Sequence, residues 1–308
     1  AYTEMISTTT ANLMLPSGTL WQRIITQTEY ALNCGALASI PTDYDFIEEG
    51  NIHFLVRILS NLARKQKAKK KQQKKLAKSG KEFNPFLPYE QDLFVGNLSE
   101  THLCLLNKFN VVDYHLLIIT RQFEEQETWL TQADFEAMWL SLAEIDGLVF
   151  YNGGKLAGAS QRHKHLQLVP FPLVPDGINL PIEPAIASVQ FNNSIGIIPE
   201  FPFVHAIATF NPDWINHLSE AAIFTLELYF ELLATLGLSV GDNPFQSGAY
   251  NLLATRNWMM IIPRSQEKFE GISINSLGFG GTLLVKNSEQ LQQLKSYHPL
   301  TVLKQVAL

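Results

Sequence analysis

Cysteine is nearly absent from this chain of 308 residues, with Cys34 and Cys104 the only two. They stand in the apolar contexts ALNCGAL and THLCLLN, without metal-ligand or redox spacing. Two free, buried thiols in a reducing cytoplasm are expected, and a disulfide scaffold is excluded. Long apolar runs are missing too, and none approaches the roughly 20 residues a membrane span requires. The opening AYTEMISTTT has neither a basic nor an apolar stretch, so no secretory signal is expected. It also lacks an initiator Met, which points to a processed or trimmed start. Charge is sparse at 17%, whereas 46% of the residues are hydrophobic. That balance excludes a disordered chain, a collagen and a coiled coil, and it fills one large core or two ordinary ones.

The net charge of −6 conceals an uneven distribution. Between Arg64 and Lys81 the run RKQKAKKKQQKKLAKSGK carries ten of the 23 basic residues and no acid. The remainder is strongly acidic, which disfavours nucleic acid as a partner, because counterion release needs a broad cationic surface. The run reads either as a solvated loop or as a contact for a compact polyanion such as a triphosphate.

Periodicity predicts a helix over 18–33, broken by Pro41 and the following TDYD, and a strand over 52–59 entering the lysine run. Two prolines in NPFLPY (84–89) predict an extended surface segment. Strands over 101–107 and 114–120 form an antiparallel pair, and Thr131 with Asp134 opens a helix in capping-box style. Strands over 148–152 and 163–169 follow, and five prolines from Pro170 to Pro184 mark a linker. The second half repeats this outline: a strand over 203–210, a well-buried helix from Trp214 to about Leu236, and strands over 250–255 and 258–263. The pair Tyr151–Asn152, ahead of a strand ending in Val169–Pro170, is mirrored by Tyr250–Asn251 ahead of one ending in Ile262–Pro263. Aligned on those prolines, His163, His165 and Gln167 correspond to Arg256, Trp258 and Met260, so the second copy keeps the scaffold without the histidines. The element order predicts an α+β fold of antiparallel strands with intervening helices. The expected division is a first repeat over 1–170, with an N-terminal extension, and a degenerate second repeat over 171–308.

The chemistry concentrates in YNGGKLAGASQRHKHLQLVPFP, residues 151–172. Alternation along a strand places His163, His165 and Gln167 on one face. Gly153, Gly154 and Gly158 precede them and can bring backbone N–H groups close to an anion. A neutral imidazole beside such a loop is a candidate nucleophile for phosphorus. His-x-His could also be a zinc pair, but no Cys or carboxylate lies nearby in sequence to complete one. His115 and Trp258 read as structural, and Lys286 reads as either a surface charge or a nucleotide contact.

The segment NGG…GASQRHKHLQL resembles the active site of the histidine-triad superfamily, with glutamine in the third triad position as in its nucleotidyltransferase branches. LLNKFNVVDYHLLIIT (105–120) resembles that superfamily's ribose-binding strand pair. With NPFLPY, ALNCGAL, NLLATRNWMMIIPRS and INSLGFGGTLLVK, nearly the whole chain resembles the diadenosine tetraphosphate (Ap4A) phosphorylases, or ATP adenylyltransferases. The resemblance implies a histidine-triad-like antiparallel sheet with helices, in two degenerate repeats related to galactose-1-phosphate uridylyltransferase. It implies that His165 attacks the α-phosphorus, releasing ATP, and that phosphate discharges the adenylyl-histidine as ADP. His163 would orient His165 through its backbone carbonyl, and Gln167 would donate to the α-phosphate. Asn107 and Asn152 would bind the nucleotide's ribose or phosphate side, Gly158, Ala159, Ser160 and Gln161 would cradle phosphates, and Lys65 and Lys67 would meet the distal ones. The implied partners are dinucleoside polyphosphate, ATP, ADP and phosphate; from composition, neither nucleic acid nor a membrane is expected and the compartment expected is the cytoplasm, while the oligomeric state stays open with a monomer favoured. No covalent cofactor and no protein-bound metal are expected, with Mg2+ accompanying the nucleotide. The rival readings are a dinucleoside polyphosphate hydrolase, a sugar-nucleotide uridylyltransferase and a non-catalytic nucleotide sensor.

Overall fold

A computed structural model describes residues 13–60, 71 and 83–308. Lys65 and Lys67 lie outside the described residues. Helix α1 (Leu20–Asn33) buries Leu20, Ile24 and Ala31, a stripe at helical spacing. Beyond Pro41 the chain enters β1 (Thr42–Glu49), which pairs along its whole length with β2 (Ile52–Leu59). The polar TDYD stretch thus forms a strand instead of ending structure. Its side chains are mostly exposed or half-buried, and the partner strand supplies the apolar side.

Ten strands make the main sheet among the described residues. In chain order they are β3 (Phe94–Asn97), β4 (His102–Leu106), β5 (Leu116–Thr120), β6 (Gly147–Gly153) and β7 (His165–Pro170) from the first half. The second half adds β8 (Gln190–Asn192), β9 (Ile195–Ile197), β10 (Ala206–Thr209), β11 (Tyr250–Ala254) and β12 (Trp258–Pro263). The spatial order is β3-β4-β5-β7-β6-β11-β12-β10-β9-β8, antiparallel at every junction. The inner run β5-β7-β6 is mirrored outward from the centre by β10-β12-β11. At that centre Asn152 stands opposite Asn251, so the two Tyr-Asn pairs read from the sequence meet across one ladder. His165 and Gln167 of β7 correspond to Trp258 and Met260 of β12, both of which are buried core.

A short hairpin, β13 (Lys268–Phe269) and β14 (Ile272–Ser273), precedes β15 (Thr282–Val285). Strand β15 joins β1 and β2 in a small second sheet and lies parallel to β2, a departure from the all-antiparallel expectation. From residue 83 on, the helices are α2 (Gln132–Leu142), α3 (Glu183–Ile186), α4 (Leu218–Thr235), α5 (Ser276–Phe279), α6 (Ser288–Tyr297) and α7 (Pro299–Val306). Helix α2 starts with the capping box predicted from Thr131 and Asp134. The continuous helix expected from Trp214 is instead a 3₁₀ turn (Pro212–Asn216) followed by α4, with His217 in a non-helical conformation between them. Nor is α4 buried all round. It buries Ala221, Ala222, Thr225, Tyr229, Leu232 and Leu233, while Ile223, Phe224 and Phe230 are each at least 40% exposed.

The main sheet has two differently covered faces. Helices α1, α2 and α4 cover one, packing on Cys104, Ile118, Leu166, Leu168 and Leu252. On the other, Phe86 covers Leu103, Leu105, Leu117 and Ile119. Further along that face, Leu148, Phe150, Leu253 and Met260 pack with the small sheet and α5 to α7. Gln167 stands in register between Leu117 of the first cluster and Phe150 of the second, so the triad strand occupies the gap between them. Of the two free thiols, Cys104 is buried as expected, but Cys34 is exposed, because it caps the open end of α1.

Candidate active site

His165 opens β7 with its Nδ1 2.8 Å from the carbonyl of His163. A carbonyl only accepts, so Nδ1 carries the proton and the lone pair lies on Nε2. Burial lowers the ring's pKa to about 4, against the opposing pull of the His163 carbonyl, which leaves the ring neutral at pH 7. The result is a preoriented, unprotonated nitrogen. The backbone-carbonyl role implied for His163 agrees with this geometry.

The ring of His163 is fixed by other groups. Its Nε2 donates to the Thr120 carbonyl at 2.7 Å, and its Nδ1 therefore accepts from Asn84 Nδ2 at 3.0 Å. The Phe86 ring lies against both histidines, with centroids 5.7 and 5.2 Å away. NPFLPY is thus no surface spacer. Its Asn84 and Phe86 wall the site, because the turn Phe86–Tyr89 folds the segment back over the sheet. Lys164, between the two histidines, points to the other face. There it is buried against Asp134 at 2.9 Å, and Asp134 also binds His102 at 2.7 Å.

The predicted strand from His163 begins two residues late, and Gln126 explains why. The ladder between β6 and β7 runs from Gly147 opposite Pro170 to Phe150 opposite Gln167. Continued two residues further, the same register would set Asn152 opposite His165. Gln126 replaces their direct bond: its Oε1 accepts from His165 N at 2.9 Å, and its Nε2 donates to Asn152 O at 2.8 Å. Its side chain is a polar wedge that parts the strands where the two site residues stand. Asn152 Oδ1 accepts from Asn251 Nδ2, Ser276 N and Ser276 Oγ, which leaves the Asn152 amide NH2 as the group free for a ligand among the described residues.

Gln167 sends Oε1 to His115 Nε2 at 2.7 Å, and His115 Nδ1 lies 3.2 Å from Asn107 Nδ2. His115, read from the sequence as structural, thus touches the side chain of the triad glutamine. Burial drops its pKa to about 4, with the Gln167 contact opposing. Asn107, His115 and Gly158 line a cavity of about 300 Å³ shared with Arg57, Asn275 and Lys286. That size is at the low end of the roughly 300–1,000 Å³ usual for small-molecule sites. A larger cavity of about 470 Å³ opens on the opposite face, beside Trp129, Leu226 and Phe230, but none of the sequence-predicted site residues lines it.

The glycine loop differs in detail from its expected use. Gly154 and Gly158 adopt φ of +109° and +94°, and a Cβ on Gly158 would sit 2.9 Å from Asn275 Cβ. Glycine is thus required there by conformation and by close packing. The N–H groups of Ala157, Gly158 and Ala159 turn inward to the carbonyls of Gly154 and Lys155, which removes them from anion binding. Ser160 is exposed and Gln161 half-buried at the loop's end. Asn84 and Phe86 lie in NPFLPY, and His115 and Thr120 in LLNKFNVVDYHLLIIT, but neither segment singles these residues out, and Gln126 lies in no motif at all. A polar residue flanked by apolar strand, as in Tyr114–His115–Leu116, is the one signal that could have raised His115.

Residues 10–188 match the model of the Ap4A phosphorylase N-terminal domain, and residues 199–308 that of the ATP adenylyltransferase C-terminal domain. Diadenosine tetraphosphate phosphorylase 2 of Saccharomyces cerevisiae is 29% identical over 242 residues, covering 68% of this chain and 71% of that protein. Crystal structures of a yeast Ap4A phosphorylase share the fold. The AMP complex has a TM-score of 0.73 at 24% identity, covering 95% of this chain and 97% of that one. The Ap4A complex has a TM-score of 0.72 at 23% identity, covering 96% and 99%. With both halves matched, the chain belongs to the Ap4A phosphorylase family of ATP adenylyltransferases.

Proposed function

We propose that this nucleotidyltransferase phosphorolyses Ap4A to ATP and ADP through an adenylyl group carried on His165. The observation that carries the reading is the His165 ring: Nδ1–H is tied to the His163 carbonyl, and neutral Nε2 is left as nucleophile. Nε2 forms a bond to the α-phosphorus of one adenylyl group as the bond to the departing ATP oxygen breaks. Phosphate oxygen then bonds to that phosphorus and the P–N bond breaks, giving ADP and restoring neutral imidazole. A ring of lowered basicity is the better leaving group in this second step. The His163 carbonyl faces the proton of the ring that becomes cationic in between. Gln167 is an amide, so it stabilises charge without serving as an acid, and departing ATP is a weak enough base to need none.

Asn107, Lys286 and Arg57, on the cavity wall, are assigned to the nucleotide, and Asn152 to its ribose or phosphate side. Ser160 and Gln161 are assigned to phosphates, with Mg2+ arriving on the polyphosphate. Cys34 and Cys104 are unpaired, which supports the cytoplasm as the compartment. Among the described residues, no helix is long and apolar enough to cross a membrane.

The test is product analysis. With phosphate, Ap4A should give ATP and ADP in equal amounts. Equal rates of ATP and AMP formation without phosphate would identify a hydrolase and overturn the reading. His165→Ala should abolish both turnover and the acid-labile adenylyl adduct.

A further inference from the structure

We infer that His115 is a positioning residue: it holds the Gln167 amide so that its NH2 is the group left for the phosphoryl oxygens, and Asn107 keeps the imidazole in the tautomer this requires. The inference rests on the adenylyl transfer proposed above.

The three side chains form a line, Asn107 to His115 at 3.2 Å and His115 to Gln167 at 2.7 Å. Gln167 presents its oxygen to the ring, and an amide oxygen only accepts, so His115 Nε2 carries the proton. A neutral imidazole has one proton, so Nδ1 must accept, and the atom facing it is the Asn107 amide nitrogen, a donor. Every donor in the line then points from Asn107 toward Gln167. With Gln167 Oε1 occupied, its Nε2 is the remaining donor on that side chain.

The ring stays neutral because burial favours the uncharged form, its pKa falling to about 4. A protonated ring would present a second N–H to the Asn107 amide nitrogen and break the line. Phe150 lies against the imidazole at 5.8 Å between centroids and restrains its rotation. His205 supplies an internal comparison. It precedes β10 as His115 precedes β5, yet its Nδ1 donates to the Phe203 carbonyl and its Nε2 accepts from Ile198 N. There the matching ring ties backbone to backbone, and the position matching Gln167 is Met260. The half that has the triad glutamine is the half whose histidine turns to a side chain.

Two experiments decide the inference. In the free protein, nitrogen-15 NMR of the ring should report a neutral His115 protonated at Nε2 throughout pH 5–8, given a pKa of about 4. A ring protonated at Nδ1 overturns the relay. With the two diastereomers of Ap4A bearing sulfur on the α-phosphorus, the wild type should prefer one. His115→Phe should lower kcat by about 10- to 100-fold, the scale of a lost supporting contact, with KM nearly unchanged and the diastereomer preference collapsed. The double variant with Gln167→Ala should be no slower than Gln167→Ala alone. Additive losses, or a preference retained in His115→Phe, overturn the inference. A wild type inert toward Ap4A and phosphate overturns the adenylyl-transfer reading instead, and the tautomer measured on the free protein still decides the relay.

Discussion

A histidine that the fold keeps neutral leaves a mark on the pH dependence of both activity and stability. His115 and His165 are both lowered from 6.5 to about 4 by burial, and His163 is lowered in the same direction. Between pH 6.5 and about 4 the unfolded chain therefore binds protons that the native protein refuses. Stability rises with pH through that window and gains nothing further from these groups above it. Urea unfolding across the window should show a falling free energy as the pH drops, with a shallower fall in His115→Phe. A flat profile would contradict the neutral assignment. For activity, the acid limb due to His165 should lie near pH 4 and not at the ordinary 6.5. The pH profile of kcat/KM for Ap4A reads it directly.

Among the elements, the parted ends of β6 and β7 are the feature most open to test. Gln126→Leu fills the same space but leaves His165 N and Asn152 O without their side-chain partners. Asn152 O still accepts from Gly154 N, so His165 N is the buried group left unpaired, at a cost of roughly 1–3 kcal/mol. The variant should melt earlier and lose kcat by more than ten-fold, an order expected when a nucleophile drifts from its working position. Unchanged kcat with a lowered melting temperature would make Gln126 purely structural. This element also marks where sequence reading stops. HKHLQ was legible because its residue types and period of two state chemistry and geometry together, and the Tyr-Asn repeat marked two equivalent strands, which the sheet sets side by side with Asn152 opposite Asn251. Gln126 was not, because FEEQET is an ordinary polar loop and its bonds reach 26 and 39 residues ahead. Strand β1 escaped for a similar reason: a polar, half-exposed strand has no period to display, and only its apolar partner β2 makes it one. The exposed apolar side of α4 shows the converse error, since a helix rich in apolar residues need not bury them all.

At the scale of the molecule, buried residues of the second half brace the site. Asn251 donates to Asn152, to the Ala157 carbonyl and to Ser276, and it accepts from buried Arg264 at 2.6 Å. Asn251→Leu should therefore raise KM for Ap4A while leaving KM for phosphate alone, and should lower the melting temperature. Equal effects on both Michaelis constants would argue against this route. Charge acts at the same scale: with 29 acidic residues in the chain, the Arg64–Lys81 run is suited to a short polyanion. Lys65→Gln with Lys67→Gln should raise KM for Ap4A more than for phosphate, whereas length-dependent, salt-sensitive RNA binding by the wild type would sink that assignment. The β6–β11 ladder has one more consequence. Antiparallel pairing has a local twofold axis, so the exposed edge of β6 in an isolated first half would accept β6 of another copy in the same sense. Joining the halves in one polypeptide makes the proper encounter unimolecular, at an effective concentration of order millimolar for short flexible tethers. Separately made halves should therefore form more β6–β6 self-paired species on refolding than the single polypeptide does, which size-exclusion chromatography of the two preparations would read.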